Sequence, residues 1–513
     1  MYHMLGLAGI ALAIALTPVS VFAATAAHTT PVSQPQTLES LFASLDRQLK
    51  AEQYGDANTS LLAITAHPQF SQLPSEVQLA CYRLLALIQL DAGALDASYG
   101  SLLKAGNLPG EVLDSDYWHL RAKLALQLKK KTDAVSAMTA LASRFPQELH
   151  TMDRHFITSI VRLSDEIEDG KVSKRKLLEA LHAAVYTPQD SAYSAEWLFF
   201  DLFEIYVADK ATEKATDIAA EMIEPENLIR FRIDKRYATY RQVTDAEIAA
   251  AFEAQLVRHR AFADSHPRLL AGPSLVAGDL DNLARSEEGL KLIDEALAKI
   301  AAAPKDKPAY DDLADQHNWA LDTKYRLLTQ LGRYAEAEQA LKQGRDAAIA
   351  AGDDLVSQKI NLGGFYNVLG RPQEALKEVA DIKPEHASIY GQMSAEEVRA
   401  CAYAQTGETT KLKASLDLML KNAKDAYWPL ETALLCAGES DTLAKVIIAQ
   451  IEDPDTRTGA LMNIQTYLPD GHPTPAEAAR EALRQKTLAR ADLQAAVRKH
   501  GEIASLPVRR FPY

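Results

Sequence analysis

The feature that most constrains this chain is a pattern that returns every 31 to 38 residues. Leu362, Gly363, Tyr366, Gly370 and Ala375 set a frame in which one helix meets a glycine turn. A second helix then places a small residue five positions after that glycine. Gly332, Tyr334 and Ala337 repeat the frame 38 residues earlier, and Gly407 repeats it 37 later, with Ala400 and Tyr403 matching Gly363 and Tyr366. Gly438 marks a weaker copy 31 further on. Towards the N-terminus, Tyr82, Leu85, Ala86, Gly93, Leu102 and Ala105 keep the same spacing, and Trp118, Ala122, Ala134, Met138 and Pro146 begin the next copy 36 residues after Tyr82. Apolar residues recur at intervals of three and four throughout, as in LLTQLGRYAEAEQALKQG, and alternating Val, Ile and Thr runs are missing, which predicts an all-α fold. Prolines such as Pro146, Pro304 and Pro384 fall between the helical segments, where a missing N–H costs little. A single hairpin cannot bury its apolar face, so the repeats are expected to stack, with glycines and alanines where paired helices approach.

These residues resemble the tetratricopeptide repeat (TPR) family, whose helix-turn-helix unit carries an aromatic early in the first helix, Leu-Gly or Leu-Ala and then Tyr, an Ala in the second helix and a closing Pro. Trp118, Ala122, Ala134 and Pro146 follow that order, as do Leu362, Gly363, Tyr366, Gly370 and Ala375. The resemblance implies a superhelical solenoid of helix-turn-helix repeats over residues 38–146 and 270–452. It also implies a concave groove lined by the first helix of each pair. Family geometry directs Trp319, Asp322, Arg326 and Gln330 to that groove, then Ile360, Asn361, Gly364 and Asn367, then Glu397, Cys401 and Gln405. Ile360 and Gly364 stand where one subtype of the family carries the Lys and Asn that clamp a peptide's terminal carboxylate, so that ligand is not implied.

Residues 150–265 differ in texture. Trp197, Phe199, Phe200, Phe203 and Tyr206 crowd one predicted helix, and Arg230, Arg232, Arg236, Tyr237 and Tyr240 follow Pro225. That basic and aromatic strip reads either as a binding surface for acidic or planar ligands, or as packing between irregular repeats with the cations paired to Glu221, Glu224 and Glu226. Residues 474–513 form a second basic region, with eight Lys and Arg against four acids, expected as a capping helix pair with a docked or frayed tail.

Compartment and chemistry are bounded by the remaining features. From Met4 to Ala24 the chain is uncharged and apolar, broken by Pro18 and followed by small residues. This predicts a signal peptide over residues 1–26, cut after Ala23 or Ala26, and an exported, periplasmic protein; an uncleaved anchor is the alternative. No other segment reads as a membrane span. Fifty-five Lys and Arg against 69 Asp and Glu leave a net charge of −14, which opposes nucleic-acid binding. Cys401 and Cys436, placed on successive first helices, are expected too far apart to bond, and all three cysteines are read as free thiols.

No metal site is expected. His150 and His155 are five apart, a poor pair on a helix, and the calcium-like run from Asp165 to Gly170 has Ile167 and Lys176 at ligand positions. Phosphate-loop, dinucleotide and nucleophile-elbow motifs are absent, so neither a cofactor nor a catalytic residue is assigned. The expectation is a non-enzymatic scaffold that binds a protein or peptide. A cell-envelope hydrolase with carboxylates in the middle segment, or a glycan or small-ligand binder, stands as the alternative. Ala337 and Ala375 are expected at close helix contacts and Ala348 at a tolerant helix end.

Overall fold

The computed structural model describes residues 36–108, 113–188, 192, 194–304, 306–353 and 355–509. The expected signal segment and the last four residues of the basic tail lie outside these. The chain divides into two compact units, residues 1–117 and 118–513, a boundary inside the helix Ser115–Gln127 and some thirty residues before the end of the expected N-terminal array.

In the first unit, Leu38–Lys50 pairs with Tyr54–Ala66 and Ser75–Asp91 with Leu95–Gly106. Thr37 opens the first helix by accepting the Ser40 N–H at 3.3 Å, satisfying one of the donors that a helix start leaves unpaired. Leu41, Leu45, Leu61, Ile64 and Leu85 form its core.

The second unit continues as hairpins: Lys131–Arg144, Gly170–Ala183 and Glu196–Ala208 with Thr212–Glu221 in the middle segment, then Ala271–Asn282 with Ser286–Ala302, Leu313–Gln330 with Tyr334–Ala351, Val356–Val368 with Pro372–Glu378, Ile389–Thr406 with Thr409–Lys421, and Tyr427–Ala437 with Ser440–Glu452. The protein is an all-α, TPR-like solenoid of helix-turn-helix repeats. One local geometry recurs at the turns. Gly93, Gly332, Gly370, Gly407 and Gly438 all have φ between 71° and 78°, and in each case the next helix starts two residues later. Glu52, Lys129, Lys210 and Ala284 hold the same left-handed position, φ 56° to 59°, before helices that also start two residues on. The turn is thus set by the hairpin, and glycine is only the residue that adopts it without strain.

Small residues do let helices approach. A Cβ on Gly363 would stand 2.9 Å from Val398 Cγ1 and 3.3 Å from the Ala375 carbonyl, and Ala337 and Ala375 are fully buried. Ala348 is also fully buried, so the expectation that this position tolerates enlargement is wrong; the exposed neighbour is Ala350.

Cys401 and Cys436 form a disulfide with Cα atoms 5.0 Å apart, which corrects the free-thiol expectation. Eighteen residues make up Ile389–Thr406 but only eleven make up Tyr427–Ala437, so the two helices do not keep the regular register from which a wide separation follows. Fully buried Ala400 and Ala402 flank Cys401 and leave little bulk to hold the helices apart. Cys81 is a buried free thiol, and burial pushes its ionisation up to about 12.

After Glu452 the chain stops repeating and turns back. The short helix Arg457–Asn463 leads to strand β1, Thr466–Leu468; helices Pro475–Leu488 and Ala491–His500 follow, and then strand β2, Ser505–Arg509. β1 and β2 pair in parallel, Thr466 with Ser505 and Leu468 with Arg509, where the sequence suggests only a docked or frayed tail. Buried Gln465 fixes this return: its Nε2 donates to the Leu461 carbonyl at 2.6 Å and the Glu502 carbonyl at 3.1 Å, and its Oε1 accepts the Ala504 N–H at 2.7 Å. One hydrophobic core consequently runs from the middle segment, through Phe200, Phe231 and Ile248, into Leu430, Leu461, Leu493 and Val508.

Candidate ligand cleft

A cleft of about 1420 Å³ opens in the second unit. Its walls come from one face each of Asp245–Ser265, Ala271–Asn282, Leu313–Gln330, Val356–Val368 and Ile389–Thr406, with Trp428 and Glu477 contributed by the C-terminal part. A smaller cavity, about 570 Å³, lies between Asp245–Ser265 and Ser286–Ala302. The larger one exceeds the roughly 300–1,000 Å³ of ordinary small-molecule sites. Gly278 and Gly364 face it with open space where a Cβ would stand.

Six carboxylates and two guanidinium groups line the cleft among the described residues. Five of the six acids are engaged from within. Asp279 receives His259 Nδ1 at 2.6 Å and Gln255 Nε2 at 2.7 Å. Asp281 takes Arg509 Nη1 at 3.0 Å and Ser286 Oγ at 2.6 Å. Asp312 accepts the N–H groups of Leu270 and Ala271 at 2.7 and 3.0 Å, at the start of the earlier helix Ala271–Asn282. Asp322, nearly buried, holds Arg326 Nη2 at 2.6 Å and Asn361 Nδ2 at 3.0 Å. Glu477 closes a capping box with Thr474, accepting its N–H at 2.8 Å.

Glu397 is the sixth. It accepts no hydrogen bond from any described residue, and burial pushes its carboxyl up to about 8 although the Arg480 guanidinium pulls the other way. An isolated carboxylate in a poorly solvated place favours its neutral form, which is the direction seen. Tyr390 and Ser394 share its face of the helix, seven and three residues before it. Burial and the neighbouring Glu397 both raise the Tyr390 phenol. Cys401, one turn beyond Glu397, bonds Cys436, and Arg480 Nη1 lies 3.8 Å from the Cys436 sulfur, so the disulfide, the arginine and the acid form one packed group.

No protein-family model matches the chain, and no curated protein matches it. Solved structures of similar helical architecture are a Rap protein complexed with competence and sporulation factor, at 14% identity over 80% of this chain and 100% of that one with TM-score 0.29, and the human IFIT1 dimer with m7Gppp-AAAA, at 12% identity over 82% and 90% with TM-score 0.32. A third is Naa15/Naa10 bound to HypK-THB, at 13% identity over 83% and 70% with TM-score 0.23.

Of the residues that the repeat frame directs to a groove, Asp322, Arg326, Gln330, Asn361 and Glu397 line the cleft, together with Ile360 and Gly364. Gln330 clasps the returning chain, donating to Asp470 at 2.9 Å and accepting the Gly471 N–H at 3.1 Å. Trp319 is 43% exposed but lies off the cleft wall. Asn367 is buried, its Nδ2 donating to the Val398 carbonyl at 2.8 Å, and Gln405 donates to the Asn367 carbonyl at 3.0 Å; both tie neighbouring helices together away from the wall.

The basic and aromatic strip is packing and not an open face. Tyr237 is buried, and Phe203 meets Phe231, Tyr237 and Tyr240 edge-on at 5.1, 5.2 and 5.5 Å. Arg230 lies over the Phe200 ring at 4.5 Å and pairs with Glu226. Arg232 pairs with Asp245 and Glu502. Arg236 binds fully buried Asp234 at 2.8 Å and the Pro454 carbonyl at 2.9 Å. The strip therefore joins the middle segment to the C-terminal return, with partners far along the chain that local sequence does not announce.

Tyr390, Trp428 and the His259–Asp279 pair are cleft residues that the sequence reading passed over. The seven-residue step from Tyr390 to Glu397 was a usable signal; Trp428 sits at a helix start with no periodic neighbour to mark its face.

Proposed function

We propose that this protein is an exported, TPR-like scaffold whose cleft binds a segment of a protein or peptide partner. The observation that carries the reading is the cleft itself: larger than a small-molecule pocket, walled by successive first helices, and lined by polar groups already held in place by internal partners. Preorganised walls of this kind lose little side-chain freedom on binding. Export is supported by the signal-like residues 1–26 and by the Cys401–Cys436 pairing, since disulfides persist in oxidising compartments. A hydrolase would need a base beside the neutral acid of Glu397, and the other five acids are committed elsewhere, which favours binding over catalysis.

The glycines of the wall provide the test. Gly364→Leu and Gly278→Leu each start a side chain from a Cβ in open space on the cleft wall. A photo-reactive side chain at Ile360 should cross-link a partner in the cell envelope, each leucine variant should abolish the product, and the same group at exposed Lys413 should give none. Cross-linking that survives both leucines refutes the cleft as the binding surface.

A further inference from the structure

We infer that the Cys401–Cys436 disulfide is an exchange site for a dithiol, entered through Cys436, and that its redox state sets how firmly the C-terminal lip of the cleft is held. The effect is on the wall itself and is independent of what the cleft binds.

The bond joins the elements that carry that lip. Cys401 lies on Ile389–Thr406, three and four residues beyond Val398 and Glu397, which line the cleft. Cys436 lies on Tyr427–Ala437, the helix that contributes Trp428. Arg480 reaches the Cys436 sulfur from Pro475–Leu488, three residues beyond Glu477 of the same lip. On two of the three helices, wall and bond are thus about one helical turn apart. A covalent tie there limits how far Tyr427–Ala437 can draw away from Ile389–Thr406, and cutting it leaves side-chain packing alone to hold the pair.

The two sulfurs are not equivalent. Cys401 is buried, whereas Cys436 is only half-buried, so a thiolate from outside meets Cys436 first. Its attack forms a mixed disulfide at Cys436 and breaks the bond to Cys401, which leaves as a thiolate and takes up a proton. The second thiol of the reductant then attacks the mixed disulfide. Cys436 leaves as a thiolate, the dithiol is oxidised to its own disulfide, and two electrons have passed to the protein. Arg480 is placed for this second departure. Its Nη1 lies 3.8 Å from the Cys436 sulfur, and it forms no ion pair with a described carboxylate, although Glu397 is near enough to feel its charge. A neutral disulfide sulfur is a weak acceptor for a guanidinium, and a thiolate is a strong one. The arginine therefore favours the reduced state over the oxidised one and speeds the leaving sulfur.

The full chain, without denaturant, tests both halves. Dithiothreitol should reduce the bond in the folded protein, read by mass spectrometry as alkylation of Cys401 and Cys436 while buried Cys81 stays protected. A monothiol quenched with acid should leave its adduct on Cys436 and not on Cys401. At equilibrium with a dithiothreitol redox couple, Arg480→Gln should hold the bond oxidised about tenfold more strongly, and Arg480→Lys should lie close to wild type. A variant that merely loosens the fold shifts the equilibrium the other way, towards reduction. Hydrogen exchange at residues 389–398 and 427–435 should quicken on reduction, while residues 54–66 of the first unit keep their protection. A bond that yields only in denaturant, an adduct on Cys401, an Arg480→Gln equilibrium equal to wild type or more reduced, or unchanged exchange at 389–398 and 427–435 overturns the inference.

Discussion

Replacing Glu397 by glutamine separates what the cleft costs the fold from what it does for a ligand. Below the ordinary value near 4.5 the carboxyl is protonated in both the native and unfolded chain, and pH has no leverage there. Above it the unfolded chain loses the proton, while the native cleft holds it until about 8. The native state then binds more protons than the unfolded one, so stability falls as pH rises through this window and levels off above it. At about 1.4 kcal/mol per pH unit, the loss reaches roughly 4–5 kcal/mol. Glutamine has nearly the same shape and no charge to bury. Urea unfolding, followed by tryptophan fluorescence, should give equal stabilities for wild type and Glu397→Gln at pH 4.5. The variant should pull ahead by several kcal/mol at pH 9. All four tryptophans, residues 118, 197, 319 and 428, lie in the unit that holds the cleft. Parallel curves from pH 4.5 to 9 would refute a carboxyl held neutral by the cleft wall.

Three further outcomes are expected. Ala284→Gly relieves a left-handed turn residue and should stabilise the second unit by about 1 kcal/mol in the same denaturation assay, with Lys129→Gly acting alike. Unfolding without reductant should preserve the Cys401–Cys436 bond, read as a two-hydrogen mass increase on later reduction; the double serine variant should lose about 3–4 kcal/mol, since the bond closes a 35-residue loop. Ala337→Leu and Ala375→Leu should each cost about 1–3 kcal/mol by overpacking, with faster hydrogen exchange confined to neighbouring repeats, while Ala350→Leu should be silent.

The repeat frame was legible where glycine marked the turn and hidden where it did not. Gly332, Gly370 and Gly407 announce their hairpins, whereas Lys129, Lys210 and Ala284 make the same turn with residues that leave no such trace. Cleft residues could be placed as far as helical periodicity reaches: Asp322, Arg326 and Glu397 follow from helix faces, while Asn367 shows how a polar side chain on a first helix is drawn instead to a backbone carbonyl of the neighbouring helix. The disulfide is not legible because regular repeats imply a wider spacing, and the helix carrying Cys436 is a short one. The C-terminal return was beyond reach for a different reason. Its defining contacts, Asp234 with Gly501 and Gln330 with Gly471, join residues that are 267 and 141 apart in the chain.

That return supplies the last part of the cleft. Glu477, Arg480 and the clasp on Gln330 all belong to the segment that emerges last, while the hairpins that form the opposite walls are complete long before it. A chain being translated therefore completes its stacked hairpins first and the last piece of the cleft wall, Glu477, only near the end. A premature stop near residue 460 would leave the cleft wall without Glu477, Gln330 without its clasp, and the core without Leu461, Leu493 and Val508.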